Sequence, residues 1–441
     1  METRAHFPVV HSLCYPACLP LPQQDLMMVP RLARYALIVL AITVMSVYLP
    51  FLYHKVSEKK VGKTQLFFSP VIKKFVFREM VGEGHKFVTQ DESGNNYDRM
   101  TFETLIPFVY YKNMELWGKL PMTIDGRTFD KQTIKENRQV FELKPRMIAD
   151  RSPRIQIFPL LESKPGVTRL RFPEDVFRLT DRMEFINVDT NTVDQDLTDK
   201  FTNAVKQAGF VFPARLTAGR VSILKPFDEG FFVVDAKGYT YHVKRVRGKP
   251  VVVKTPIPSD LGIRNIKVME NKKKEIYGML LTDKGDIHLI TYDDYRLIKL
   301  PIEDYNPDTM DLKLLINPLY RTAVYSDDHT IHAVAMDSRY RPISRYQRVM
   351  FSGRTTMADT VFKALFPFWI KTTDKTSGYL RFDVIWNGRP ALIGIALSLF
   401  AGIAVMYARK FPIRKYWPDL AIIMFTGIYG LISVSVIEPE R

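Results

Sequence analysis

The stretch Leu280–Ile290, LLTDKGDIHLI, decides the fold. An apolar run ends in a polar turn at Asp283-Lys284-Gly285, and alternation resumes through Ile287 and Ile290, the pattern of a β-hairpin. The pattern recurs in Val233–Val243 (VVDAKGYTYHV) and Val324–Val334 (VYSDDHTIHAV), with the turn positions Gly238, Gly285 and His329 spaced 47 and 44 residues apart. That interval is the size of a four-stranded propeller blade. Two segments fit more loosely, Phe177–Val188 about Met183 and the run KFVTQDESGNNYDRM about Gly94. Gly, Asn and Asp favour the φ above zero that tight turns need, while Val, Ile and Tyr pack well on a pleated surface. The expectation is a mainly β, propeller-like domain of about five degenerate blades with helical insertions, a β-sandwich with insertions being the alternative.

Two insertions have their own pattern. In TNTVDQDLTDKFTNAVKQAGF, Val193, Leu197, Phe201, Val205 and Ala208 share a helix face, Thr192 and Gln195 are placed for a capping box, and Gly209 for the stop. Tyr110–Arg146 combines a turn at Asp125-Gly126 with a helix expected over Lys131–Gln139.

The ends of the chain differ from this middle. Tyr35–Tyr53 is a 19-residue run without charge, preceded by Arg31 and Arg34, and the runs Ala391–Ala408 and Leu420–Ile437 hold 18 uncharged residues each. These lengths suit three transmembrane helices, with Trp386, Tyr407, Tyr416 and Trp417 as interfacial aromatics. They leave residues 55–389 as the β-rich domain. The link between the last two runs carries Arg409, Lys410, Arg414 and Lys415, and short basic loops stay cytoplasmic, so the domain and the C-terminal tail are expected outside a bacterial inner membrane, the domain in the periplasm. Gly394, Ser398 and Gly402 recur every four residues and form a helix-packing face, fitted either to a partner membrane subunit or to the chain's own third helix. Residues 1–26, with the two cysteines Cys14 and Cys18, lack periodicity and read as an unstructured leader ahead of a start at Met27 or Met28.

Chemistry-bearing motifs are sparse. His288 stands where the aligned hairpins have Tyr241 and His332, which argues for packing rather than ligation. In DDHTIH, His329 and His332 are three apart, and an odd separation points strand side chains to opposite faces. The acids of VDTNTVDQDLTD lack the glycine and closing glutamate of a calcium loop, and SEKKVGKT lacks the first glycine, strand and helix of a phosphate loop. The sequence therefore assigns no catalytic residue, no metal ligand and no cofactor, and an enzyme is not expected. Net charge is +16, yet the cations are scattered without an aromatic-lined stripe, which argues against nucleic acid.

The aromatic stretch YYKNMELWGKLPMTIDGRTF (Tyr110–Phe129), together with the opening anchor and closing apolar pair, resembles a family of uncharacterised inner-membrane proteins of Bacteroidetes-type bacteria, some encoded near ABC-type transporter subunits. The resemblance implies an accessory protein whose partners are the lipid bilayer and membrane subunits, such as those of a transporter. The expected function is thus a membrane-anchored extracytoplasmic binding or accessory module, the alternative being a membrane-anchored enzyme that uses the propeller pocket.

Overall fold

From Gln65 to Val349 short strands alternate with turns, as the sequence requires. The computed structural model describes residues 23–57, 63–81, 87–372, 374–412 and 416–438, with side chains from Arg31 onward. The leader, with Cys14 and Cys18, and most of SEKKVGKT lie outside the described residues. In chain order the elements are α1 (Gln23–Ser57), β1 (Gln65–Phe68), β2 (Phe75–Met80), β3 (Phe87–Asp91), α2 (Arg99–Leu105), α3 (Tyr111–Leu116), β4 (Met122–Ile124), β5 (Arg127–Phe129), α4 (Lys131–Asn137) and β6 (Gln139–Leu143). Next come β7 (Asp175–Leu179), β8 (Met183–Asn187), β9 (Thr192–Asp194), α5 (Gln195–Gln207), β10 (Leu216–Gly219), β11 (Phe231–Val234), β12 (Thr240–Val246), β13 (Lys249–Lys254), β14 (Ile263–Val268), β15 (Ile276–Thr282), β16 (Ile287–Thr291) and β17 (Leu297–Lys299). The chain finishes with β18 (Asp311–Ile316), β19 (Arg321–Ser326), β20 (Thr330–Met336), β21 (Pro342–Val349), α6 (Met357–Leu365), β22 (Phe368–Lys371), β23 (Asp383–Trp386), α7 (Ala391–Ala408), α8 (Trp417–Thr426) and α9 (Ile428–Val436). Two units result, one from residues up to 58 with 356–372 and 382–441, the other from 59–355 with 373–381.

The second unit is mainly β, built of small antiparallel sheets: β1-β2-β3, β7-β8-β9, β10-β11-β12-β13, β14-β15-β16-β17 and β21-β20-β19-β18-β6, with a separate β4-β5 ribbon. The hairpins at Gly238 and Gly285 are the second and third strands of their sheets, and the one at His329 joins the second and third strands of β18–β21, to which β6 is added at the β18 edge. The one about Met183 is equivalent, because Phe158 bridges Phe177 and stands as a first strand before β7. The segment about Gly94 is one hairpin out of phase, since Gly94 follows the third strand. A shared turn device explains the slip. The Asp91, Asp235 and Asp337 carboxylates each accept from the backbone N–H groups two and four residues on at 2.8–2.9 Å, and the residue three on has positive φ: Gly94, Gly238 and Tyr340. The device closes whichever hairpin needs it.

Apolar side chains on both faces of each central sheet stack the sheets in a row. Phe177 and Phe185 meet Phe231 and Val243, and the other face of that sheet, through Phe232 and Val234, meets Ile266 and Leu280. Met279 and Leu289 then meet Leu314 and Val334, and the reverse side of β20, through Ile331 and Ala333, packs on Leu66, Phe75 and Phe77 of the N-terminal sheet. The first sheet in sequence thus covers the last. Five sheets in a row depart from the two-layer sandwich alternative.

Several local expectations are corrected. Helix α4 stops at Asn137 and Gln139 opens β6, which pairs with β18 (Phe141↔Leu314), so part of the supposed insertion is sheet. The cap of α5 is Asp194, whose carboxylate accepts from the Leu197 N–H at 2.9 Å, and Thr192 belongs to β9 instead of forming a capping box.

In the other unit two helical segments among the described residues, Arg31–Ser57 and Ala391–Ala408, are long and apolar enough to cross a membrane, not three. The run Leu420–Ile437 is broken at Gly427, whose φ of +57° and ψ of −127° only glycine adopts readily. The 10 residues of α8 rise about 15 Å, half of a bilayer core. The chain then doubles back: the Arg34 guanidinium donates to both Asp419 oxygens at 2.8 and 2.9 Å and to the Ile437 carbonyl at 3.1 Å, so the start of α8 and the end of α9 meet at one point. Arg409, closing α7, donates to the Ser435 carbonyl at 3.1 Å beside them. The third transmembrane helix expected at 420–437 is therefore a pair of short helices that turns back, with Ser435 and Ile437 beside Arg409 and Arg34 instead of at the far end of one long helix.

Candidate functional site

The small-residue face of α7 is occupied by the chain itself. Gly394, Ser398 and Gly402 are buried, a Cβ on Gly402 would stand 2.7 Å from Ile423 Cδ1, and one on Gly394 would stand 2.0 Å from the Ala364 carbonyl oxygen. This face has no room for a partner subunit. Gly430 closes the hairpin itself, since its Cβ would lie 3.0 Å from the Ile422 carbonyl oxygen. Left exposed are Leu392, Ile393, Leu397, Phe400, Ile403 and Tyr407.

The motif histidines serve the sheets. His288 is buried opposite Leu280, as Tyr241 stands opposite Val233 and His332 opposite Tyr325, and burial holds its imidazole below the ordinary pKa. In DDHTIH, the Asp327 carboxylate accepts from the His329 and Thr330 N–H groups at 2.7 and 2.6 Å and shapes the turn. Asn187, just before VDTN, does the same for Asp189 and Thr190, both at 3.0 Å. Among the described residues no group of three or more His, Cys, Asp or Glu is placed to hold a metal ion.

The most concentrated polar chemistry lies between β10-β13 and β14-β17, in residues the motif search passed over. The Lys225 side chain is fully buried, and its ammonium donates to Asp228 Oδ1 at 2.5 Å, Glu270 Oε1 at 2.6 Å and the Arg220 carbonyl at 2.7 Å. Three donors meet three acceptors. Burial raises the pKa of both carboxyls against the opposing pull of Lys225. The neighbouring Glu229 accepts from the Tyr292 hydroxyl at 3.0 Å and from the Lys244 ammonium. Its carbonyl faces His242 Nε2, which must carry the proton, leaving Nδ1 to accept from the Tyr295 hydroxyl at 3.0 Å. Burial, reinforced by Lys244, lowers the His242 pKa to about 3 and keeps the ring neutral, stacked 4.2 Å from Phe232. Tyr277 stacks on Tyr292 at 3.7 Å and on Tyr295 at 5.2 Å, and burial raises all three phenols.

Beside this cluster opens a cleft of about 620 Å³, lined by Lys135 and Arg138 on one side and Pro226, Glu270, Asn271 and Lys272 on the other. Four lining residues, Lys135, Arg138, Lys272 and Lys273, are cationic against Glu136 and the Lys225-paired Glu270. Such a cleft can hold a polar ligand with an anionic group. The sequence signal was KPFDEGFFVV (Lys225–Val234), two acids and a lysine set directly before a fully buried strand.

A mainly β domain of stacked antiparallel sheets, with one long apolar helix before it in sequence and one after it, is the class these features define. Residues 65–336, from the first residue of β1 to the last of β20, match the family described as "Domain of unknown function (DUF4857)", and the chain belongs to that family. No curated protein matches it. Among solved structures, a dihydro-heme d1 dehydrogenase NirN in complex with DHE aligns at 11% identity over 56% of this chain, with a TM-score of 0.20. The chain covers 64% of that structure, less than two thirds of its length.

Proposed function

We propose that the chain is a binding or accessory module anchored in a bacterial cytoplasmic membrane, with its β unit in the periplasm, serving a membrane complex such as an ABC-type transporter. The observation that carries the binding role is the cleft of about 620 Å³ lined by Lys135, Arg138, Lys272 and Lys273 and reaching Glu270, which the buried Lys225 holds in place. The stacked sheets are read as about five degenerate blades of a propeller-like domain, supported by the equivalence of four second-to-third-strand hairpins and by the first sheet covering the last. The anchor is read as two crossings, α1 and α7, with α8-α9 entering and leaving the bilayer on the cytoplasmic side. The basic residues Arg409 and Lys410 support that side as the cytoplasmic one.

The membrane-anchored enzyme has one observation in its favour, two burial-raised carboxyls sharing a lysine, but that lysine is fully buried and already holds three acceptors. Purification from native membranes in mild detergent, with mass spectrometry of the co-purifying proteins, tests the accessory role. Membrane subunits are expected in constant ratio to the chain, and reduced by Lys135→Glu with Arg138→Glu if they bind through the cleft. Recovery of the chain alone would overturn the accessory reading.

A further inference from the structure

The hairpin β22-β23 and helix α6 present an apolar surface that the chain leaves uncovered. On β23 Val384 and Trp386 are exposed at 54 and 68%, and Phe382, just before the strand, at 65%. Cross-strand pairing places Phe368 beside Trp386 and Ile370 beside Val384, which makes that face of the ribbon apolar on both strands. On α6, Met357 and Val361 are exposed at 83 and 51% on the side away from the buried Phe362. A two-stranded ribbon with such a face is marginal in water.

Its position says what covers it. Tyr53, near the end of α1, donates to the Ala358 carbonyl at 3.0 Å and packs on Phe362 and Phe366. His54 lies 5.8 Å from Trp369 of β22. The first turns of α7 meet α6, because a Cβ on Gly394 would touch the Ala364 carbonyl oxygen. Trp386 precedes Ala391, the first residue of α7, by five residues, at most about 18 Å of extended chain. Ribbon and amphipathic helix therefore ring the same end of both long apolar helices, where their lipid-facing surface stops. Lys363 and Arg389 stand exposed at this level, fitted to phosphate headgroups.

We infer that α6 and the β22-β23 ribbon form an interfacial collar that inserts Phe382, Val384, Trp386, Met357 and Val361 into the outer boundary of the lipid bilayer. The inference rests on the membrane reading above. Tryptophan suits that depth, with an apolar ring and a polar N–H. Amphipathic segments of this kind bind lipid by burying their apolar face beneath the headgroups.

The test uses the full chain in phosphatidylcholine vesicles with bromines either near the headgroups or near the bilayer centre. Trp117, Trp369 and Trp417 are replaced by Phe so that Trp386 is the sole fluorophore, and a second chain lacks Trp386 as well but carries Phe400→Trp on α7. Trp386 is expected to emit blue-shifted light and to be quenched at least twice as strongly by shallow as by deep bromines, with Trp at position 400 showing the reverse order. Quenching at 400 with a water-like, unquenched Trp386 would overturn the collar and leave the membrane reading standing. A blue-shifted but unquenched Trp386 would overturn it in favour of a second copy of the chain over the ribbon. If neither position is quenched, the membrane reading fails and the collar with it.

Discussion

Lys225→Met keeps the unbranched stem and removes the ammonium that holds Asp228 at 2.5 Å and Glu270 at 2.6 Å. Two buried carboxyls then keep only the Arg220 guanidinium, 3.8 Å from Glu270, as a neighbouring cation. Breaking a buried pair from one side costs about 3–5 kcal/mol, because the orphaned charge keeps its desolvation cost and loses its attraction. For a unit of this size that lowers the melting temperature by about 5–10 °C. The pH dependence follows from the direction of the shifts. Burial already raises both carboxyl pKa values in the parent, and without Lys225 they rise further. A carboxyl with a raised folded-state pKa binds more protons folded than unfolded, so its contribution is present at low pH and lost as pH rises through that pKa. The gap between variant and parent should be widest near pH 8 and narrow towards pH 5. Thermal unfolding of the full chain in detergent, followed by far-UV circular dichroism, reads both effects. Adding Asp228→Asn and Glu270→Gln to Lys225→Met should recover much of the loss at neutral pH. A variant that melts within a degree of the parent, or a gap that widens on acidification, would refute the reasoning.

Two further outcomes rest on the same packing. His242, held to about 3 by burial, stays neutral when folded while the unfolded chain takes a proton below about 6.5. Stability is thus lost as pH falls from there, by up to about 1.4 kcal/mol per pH unit, and His242→Gln should flatten this limb of the melting curve relative to the parent. Gly402→Leu drives a side chain into Ile423, 2.7 Å from the new Cβ, and should cost about 1–3 kcal/mol. It should lower the chain's own abundance and melting temperature, whereas loss of a membrane partner at unchanged abundance would contradict the self-packing of α7.

The recurring hairpins were legible because turn chemistry and period-two alternation are local. Asp235, through two backbone N–H groups, and Gly238 fix a turn, and the apolar strands on either side follow. The same locality caused the error at Gly94, where an identical turn closes a different hairpin. Pairing of β6 with β18 was not legible, since Gln139–Leu143 finds its partner far along the chain, at Leu312–Ile316, and its alternation alone does not say which sheet receives it. The break at Gly427 was hidden for another reason: hydropathy counts apolar residues and is blind to φ and ψ. The Arg34 bonds to Asp419 and Ile437 and the Arg409 bond to Ser435 reveal that the segment turns back. The Lys225 cluster escaped because Lys225, Asp228 and Glu270 make no motif, and their chemistry arises only when two sheets bring residues 225 and 270 together.

The arrangement in the membrane is tested most directly by cysteine accessibility. With Cys14 and Cys18 replaced by Ser, single cysteines are placed at Lys237 in the β11-β12 turn, at Phe411 in the link and at Glu438 in the tail, and intact spheroplasts are treated with a membrane-impermeant thiol reagent. The account predicts labelling at 237 in intact cells and at 411 and 438 only after lysis. Labelling at 411 with protection at 237 would contradict the periplasmic β unit, and labelling at both 237 and 438 in intact cells would contradict the returning hairpin.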